Sequence, residues 1–238
     1  MAMQETTIVS ATERTEAWSG ETLPRWPENT IRNLLGTSLV TDATRAALHE
    51  RLERSAVEEP RSLSPEAFLT LRAVCGRLIP QPERGDGGMV DIAGAIDREL
   101  AEGKGNGWRY ASLPPDGEAY EAGLRGVGKT ARAMFGAPFR SLDPARQDAV
   151  LAAMQAGAAP GPTWASMPAN RFFEELLVLA TETYYAHPLA QEEIGYAGMA
   201  DAAGWQAIGL DEREAHEPAP LDRATGAPHL PADGQASR

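Results

Sequence analysis

The sequence predicts an all-α protein: about six helices in an orthogonal bundle, with extended arms at both ends. Three observations carry this. Apolar residues recur at spacings of three and four in segment after segment, the period of a helix with one buried face. Start and stop signals bracket those segments, among them Ser64-Pro65-Glu66, Asp143-Pro144, Pro80, Gly103 and Gly136. No alternating apolar/polar run bounded by turn residues is present.

Residues 1–20 are polar and acidic and read as a flexible arm. Thr22 to Pro27 places two prolines around Trp26, an extended anchor. A short helical pattern follows with Ile31, Leu34 and Leu35. Asp42 is placed to cap a second helix carrying Ala46, Ala47, Leu48 and Leu52. The stretch "EEPRS" at 58–62 reads as a linker. Phe68, Leu71, Cys75 and Leu78 form the stripe of the next helix, which stops at Pro80. Val90, Ile92, Ala93, Ile96 and Leu100 make another, ended by Gly103. Tyr120, Leu124, Val127, Ala131 and Met134 line a helix closed by Gly136, and Val150, Leu151 and Met154 face inward from the helix capped by Asp143. Phe172, Phe173, Leu176, Leu177, Ala180 and Tyr184 lie on the most apolar helix. After His187-Pro188 the periodicity dissolves into a Gly-rich, aromatic segment, and from Glu217 the chain is rich in Pro, Gly and Ala. The expected organisation is an N-terminal arm with short, partner-wrapping helices (1–61), a helical core (62–215) and a flexible tail (216–238).

A formal net charge of −12 over 238 residues argues against nucleic acid and anionic membranes as partners. The longest strongly apolar run, around Leu176–Ala180, is far short of a span, so no direct membrane insertion is expected. The N-terminus shows no secretion-signal pattern, which makes the cytoplasm the expected location, with co-export to the periplasm on a signal-bearing partner as the alternative. The single cysteine allows no internal disulfide.

Residues 123–130, "GLRGVGKT", match the phosphate-binding pattern G-x-x-x-x-G-K-[ST]. That pattern works when a buried strand delivers a Gly-rich turn to a helix N-terminus. Here residues 116–122 are acidic and supply no strand. The stripe from Tyr120 to Ala131 runs through the motif, so the segment reads as helix and an NTPase is disfavoured. The four histidines, His49, His187, His216 and His229, form no metal-binding spacing. His187 at a helix end reads as a cation complementing the dipole. Cys75, on an apolar stripe, reads as buried and inert. Glu174-Glu175 and Glu192-Glu193 are candidate acid/base pairs, more ordinarily solvated faces. No catalytic residue, cofactor motif or metal site is expected in this chain. The aromatic segment after the apolar helix, with Tyr184, Tyr185, His187, Pro188, Tyr196 and Trp205, together with Trp26, is the candidate partner interface; the alternative is that it caps the core.

Five stretches in order resemble one family: "LSPEAFLTLRAVCGRLIPQPE" (63–83), "VDIAGAIDRELA" (90–101), "YEAGLRGVGKTARAMFGAPFRSLDPARQDAVLAAM" (120–154), "FFEELLVLATETYYAHP" (172–188) and "GYAGMADAAGWQAIGL" (195–210). Together they are similar to the small subunit of gluconate 2-dehydrogenase and its relatives. The resemblance covers about residues 62–210. The twin-arginine signal and the additional cysteines common in that family are missing. The resemblance implies a non-catalytic subunit without a cofactor of its own. Its partner would be a large FAD-binding subunit of the glucose-methanol-choline (GMC) oxidoreductase type, acting on a sugar or glycoside. It would support the folding, stability or export of that flavoprotein, either as a resident subunit or as a transient helical chaperone.

Overall fold

The computed structural model describes residues 29–38, 40–81, 89–103, 109–196, 209, 210 and 212. Among them are eight α-helices and no strand: α1 (Thr30–Leu35), α2 (Asp42–Glu53), α3 (Pro65–Leu78), α4 (Ile92–Glu102), α5 (Asp116–Phe135), α6 (Pro144–Gln155), α7 (Ala169–Tyr185) and α8 (Pro188–Glu193). Two 3₁₀ turns, Phe139–Ser141 and Pro162–Ala165, join the longer helices. The all-α expectation holds. The seven helical segments read one by one from the sequence are all present, α1 among them; the eighth, α8, was not expected. The periodicity was expected to dissolve after Pro188. Instead Pro188 opens α8, because a proline's fixed φ suits a first helical turn and its missing N–H is no loss there.

By internal contacts the chain divides into residues 48–190 and a second unit made of 1–47 with 191–238. In the first unit, α3 packs on α4 and α5, α6 on α5 and α7, and α7 on α4. The shared core is built from the predicted stripes. Phe68, Leu71, Val74, Ile96, Tyr120, Leu124, Val127, Val150, Met154, Phe172 and Leu176 are all fully buried. Burying each such side chain stabilises the fold by about 1.5–3 kcal/mol.

The caps read at Ser64 and Asp143 hold, whereas at the start of α2 it is Thr41, not Asp42, whose Oγ1 accepts from Thr44 N at 3.4 Å. Ser64 Oγ accepts from Ala67 N (3.3 Å), and its own O–H and N–H are held by the Glu121 carboxylate (2.8 and 3.0 Å). Asp143 accepts from Arg146 N at 3.0 Å. Asp91, unnoticed in the sequence, caps α4 by accepting from Gly94 N (3.1 Å) and also from Val57 N (2.7 Å). Gly136 ends α5 with φ 73°, the left-handed conformation that a glycine adopts without a Cβ penalty.

The 58–62 stretch is not a free linker. Asp97 on α4 is completely buried, and its carboxylate accepts three consecutive backbone N–H groups, from Arg61 (2.6 Å), Ser62 (3.1 Å) and Leu63 (2.9 Å). A buried carboxylate requires such donors to replace water. They fix the chain just before α3.

In the second unit, α1 buries Ile31, Leu34 and Leu35. Asn29 sits in the left-handed conformation (φ 65°), and its side chain caps nothing. The cap comes from Glu192, whose two carboxylate oxygens accept from Asn29 N (3.0 Å) and Ile31 N (2.9 Å). Arg45 closes the turn after α1 by donating to the carbonyls of Thr37 and Val40, both at 2.8 Å.

Candidate functional site

The "GLRGVGKT" segment lies in the middle of α5, where backbone N–H groups are engaged in the helix. Its glycines are packing positions. A Cβ at Gly123 would enter the ring of Phe172, and one at Gly126 would meet Trp164 and Thr163. Thr130, fully buried, accepts from Trp164 Nε1 (2.8 Å) and donates to the Pro160 carbonyl (2.9 Å). Lys129 is exposed. The residues of the apparent phosphate motif therefore hold the 160–164 loop and α7 against α5.

The interface candidates differ in burial. Tyr184 is buried in the core, Pro188 is buried and His187 is half-buried, while Tyr185 is exposed, its ring edge-on to Tyr184 at 5.1 Å. Tyr196, in the other unit, is 48% exposed. Trp26 and Trp205, like the tail 216–238 with its His216 and His229, lie outside the described residues.

His187 stands just beyond the end of α7. Its Nδ1 accepts from Leu189 N (3.3 Å) and its Nε2 meets the Arg51 carbonyl (3.0 Å). The Arg51 guanidinium complements this helix end, its Nη1 donating to the Ala186 carbonyl at 2.8 Å.

Cys75 is buried, and desolvation, followed by the nearby Asp91 charge, pushes its thiol up to about 12. It is no nucleophile at neutral pH. The two Glu-Glu pairs split. Glu174 pairs with Arg171 (2.7 Å), Glu192 caps α1, and Glu175 turns into a cleft.

That cleft was not foreseen. It encloses about 290 Å³ between the C-terminal part of α4, the N-terminal part of α5 and the middle of α7. Glu99, Asp116 and Glu175 supply its charge; Leu100, Pro115, Tyr120 and Leu179 supply apolar wall; Arg109 stands exposed at its rim. Burial raises the Glu175 carboxyl above its ordinary range, and Asp116 and Glu182 raise it further. Burial and then Glu182 do the same to Glu99. The Tyr120 hydroxyl is buried and, among the described residues, makes no hydrogen bond. Burial raises its pKa well above the ordinary value, and of the charges adding to this, Glu175, Asp116 and Glu99 all line the cleft. The component spacings were visible: Asp116 and Tyr120 stand four apart, as do Glu175 and Leu179. That three helices bring them together was not.

Among the described residues no group of three or more His, Cys, Asp or Glu is placed to hold a metal ion. Nor, among the same residues, is any helix long and apolar enough to cross a membrane.

The profile of one family, described as gluconate 2-dehydrogenase subunit 3, matches residues 65–211. The chain belongs to the gluconate 2-dehydrogenase subunit 3 family. Comparison with curated proteins and with solved structures gave no match. The subunit 3 match begins at the first residue of α3 and takes in every element that builds the core of the 48–190 unit. Residues 1–64 lie outside it. As a subunit 3 family member the chain is placed among the small subunits of dehydrogenase complexes.

Proposed function

We propose that the chain is a non-catalytic small subunit that stabilises and matures an FAD-dependent sugar or glycoside dehydrogenase, with a large subunit of the GMC oxidoreductase type. The family match over residues 65–211 carries this reading. In it, FAD resides in the large subunit and this chain brings no cofactor. The arm 1–61 and tail 216–238 wrap the flavoprotein, burying extended surface at an ordering cost. The exposed aromatics Tyr185 and Tyr196 contribute contacts, with Trp26 and Trp205 from the segments around them. The complex resides in the cytoplasm, or reaches the periplasm on a signal carried by the large subunit.

The test is co-expression with the flavoprotein, with and without this chain. The expected result is a co-purifying complex and a flavoprotein that loses solubility or flavin when expressed alone. A soluble, flavinated, fully active flavoprotein without this chain overturns the reading. Size exclusion of the mature enzyme separates a resident subunit from a chaperone that departs after flavin loading.

A further inference from the structure

The cleft at Glu99, Asp116 and Glu175 combines three features that one kind of ligand satisfies. It is acid-lined, and among the described residues none of the three carboxylates is engaged in an ion pair. Its apolar wall is Leu100, Pro115, Leu179 and the body of Tyr120. And Tyr120, 1% exposed, carries a hydroxyl left without a partner. A native protein leaves few such groups unpaired, and each one calls for a partner.

We infer that this cleft is a socket for a single alkylguanidinium group, and that in the assembled complex the group is an arginine side chain of the partner subunit. The second half rests on the reading of the chain as a dehydrogenase subunit; the first does not. A guanidinium presents five N–H donors in a planar fork, enough to serve separate carboxylates and the lone pair of a neutral phenol at once. Its methylene stem lies naturally along apolar wall. A bare metal ion is a poorer fit, because the described carboxylates do not cluster closely enough to ligate one. A volume of about 290 Å³ is at the lower limit of ligand pockets, ~300–1,000 Å³, and suits one side chain better than a dinucleotide. A neutral polyol could reach the carboxylates but would leave their mutual repulsion in place. The charged groups lining the site are Glu99 on α4, Asp116 on α5 and Glu175 on α7, with the exposed Arg109 at its rim; Glu102, Arg98, Glu182 and Arg51 act on these carboxylates from outside the lining.

The experiment titrates the full chain with ethylguanidinium and follows the Leu100 and Leu179 methyls by NMR. Saturable shifts are expected, with much weaker responses to ethyltrimethylammonium, which has charge but no donors, and to methyl glucoside. Glu175→Gln and Glu99→Gln should each weaken binding about five- to tenfold, the worth of one partly buried charge pair. Tyr120→Phe should weaken binding while raising the melting temperature, since the ring stays and the unpaired hydroxyl goes. No saturation, equal binding of the donor-free cation or the glucoside, or unchanged binding in both Gln variants overturns the socket. Binding that appears only in Arg109→Ala gives the site to the chain's own guanidinium at the rim and likewise overturns it. In the co-purified complex, the Glu99→Gln/Glu175→Gln double variant should raise the dissociation constant at least about tenfold. An unchanged constant overturns the partner half. If the wild-type chain forms no complex at all, the subunit reading fails, while the ethylguanidinium titration still decides the socket.

Discussion

The ring of Phe172 occupies the space that a side chain at Gly123 would need. This contact between α7 and α5 explains a glycine in the middle of a 20-residue helix, where glycine otherwise costs about 0.5–1 kcal/mol relative to alanine. Gly126 has the same explanation, with Trp164 and Thr163 above it. Gly128 does not: only the flexible end of Arg132 approaches it, at 3.8 Å. The three glycines should therefore respond differently to alanine. Gly123→Ala and Gly126→Ala should each destabilise by about 1–3 kcal/mol through overpacking. Gly128→Ala should stabilise by about 0.5–1 kcal/mol. Urea unfolding of the three variants measures this, and equal effects would refute the packing account.

Asp97 should be the most sensitive single carboxylate of the fold. Asp97→Ala leaves three buried or half-buried N–H groups, those of Arg61, Ser62 and Leu63, without their acceptor. Hydrogen bonds to a charged group contribute about 1.5–3 kcal/mol each, so a loss of about 3 kcal/mol or more is expected. Hydrogen exchange should show the 61–63 amides losing protection ahead of those in α3. A stability within 1 kcal/mol of wild type would remove Asp97 from this role.

The cleft acids predict an inverted pH response. The folded-state pKa of Glu175 lies above its unfolded value of 4.5. Between the two, the folded chain binds more protons than the unfolded one, so stability falls as pH rises through that window. Glu175→Gln removes the charge that burial and Asp116 oppose. The variant should be more stable than wild type at pH 7, with the gain vanishing below about pH 4.5. Thermal melts between pH 4 and 8 test the sign, and a variant less stable at pH 7 would contradict it.

The Cys75 thiol should resist modification in the folded state. With a pKa pushed up to about 12 and a buried side chain, it offers almost no thiolate at pH 8. Maleimide labelling should be slow in buffer and complete once the chain is unfolded in urea. Rapid labelling of the folded chain would place the thiol in a different setting.

Local period was enough to read most helices. Phe68, Leu71 and Cys75 on α3, or Tyr120, Leu124 and Val127 on α5, announce a buried face through spacing alone, and all of them are buried. Local signals failed where a residue's partner is remote in sequence. Asp97 lies inside an apolar stripe, and nothing nearby shows that it serves residues 61–63. Arg51, which donates to the Ala186 carbonyl just past α7, is likewise remote from that helix end in sequence. The cleft escaped notice for the same reason. Glu99, Asp116 and Glu175 are ordinary polar positions on three separate helices, and only packing brings them onto one cavity. Even the family resemblance, which the profile match confirms over 65–211, carried no information about that convergence.

The carboxylate that caps α1 has a consequence for how the protein is made. Glu192 stands 161 positions beyond Ile31, whose amide it holds. On the ribosome, residues 30–35 emerge well before Glu192, but a six-residue helix does not persist without outside support. At 5–20 residues per second, roughly 8–30 s pass before the residue that completes it has been translated. The helix is thus completed only by a residue made 161 positions later, and throughout that interval it is open to whatever else binds nascent chains.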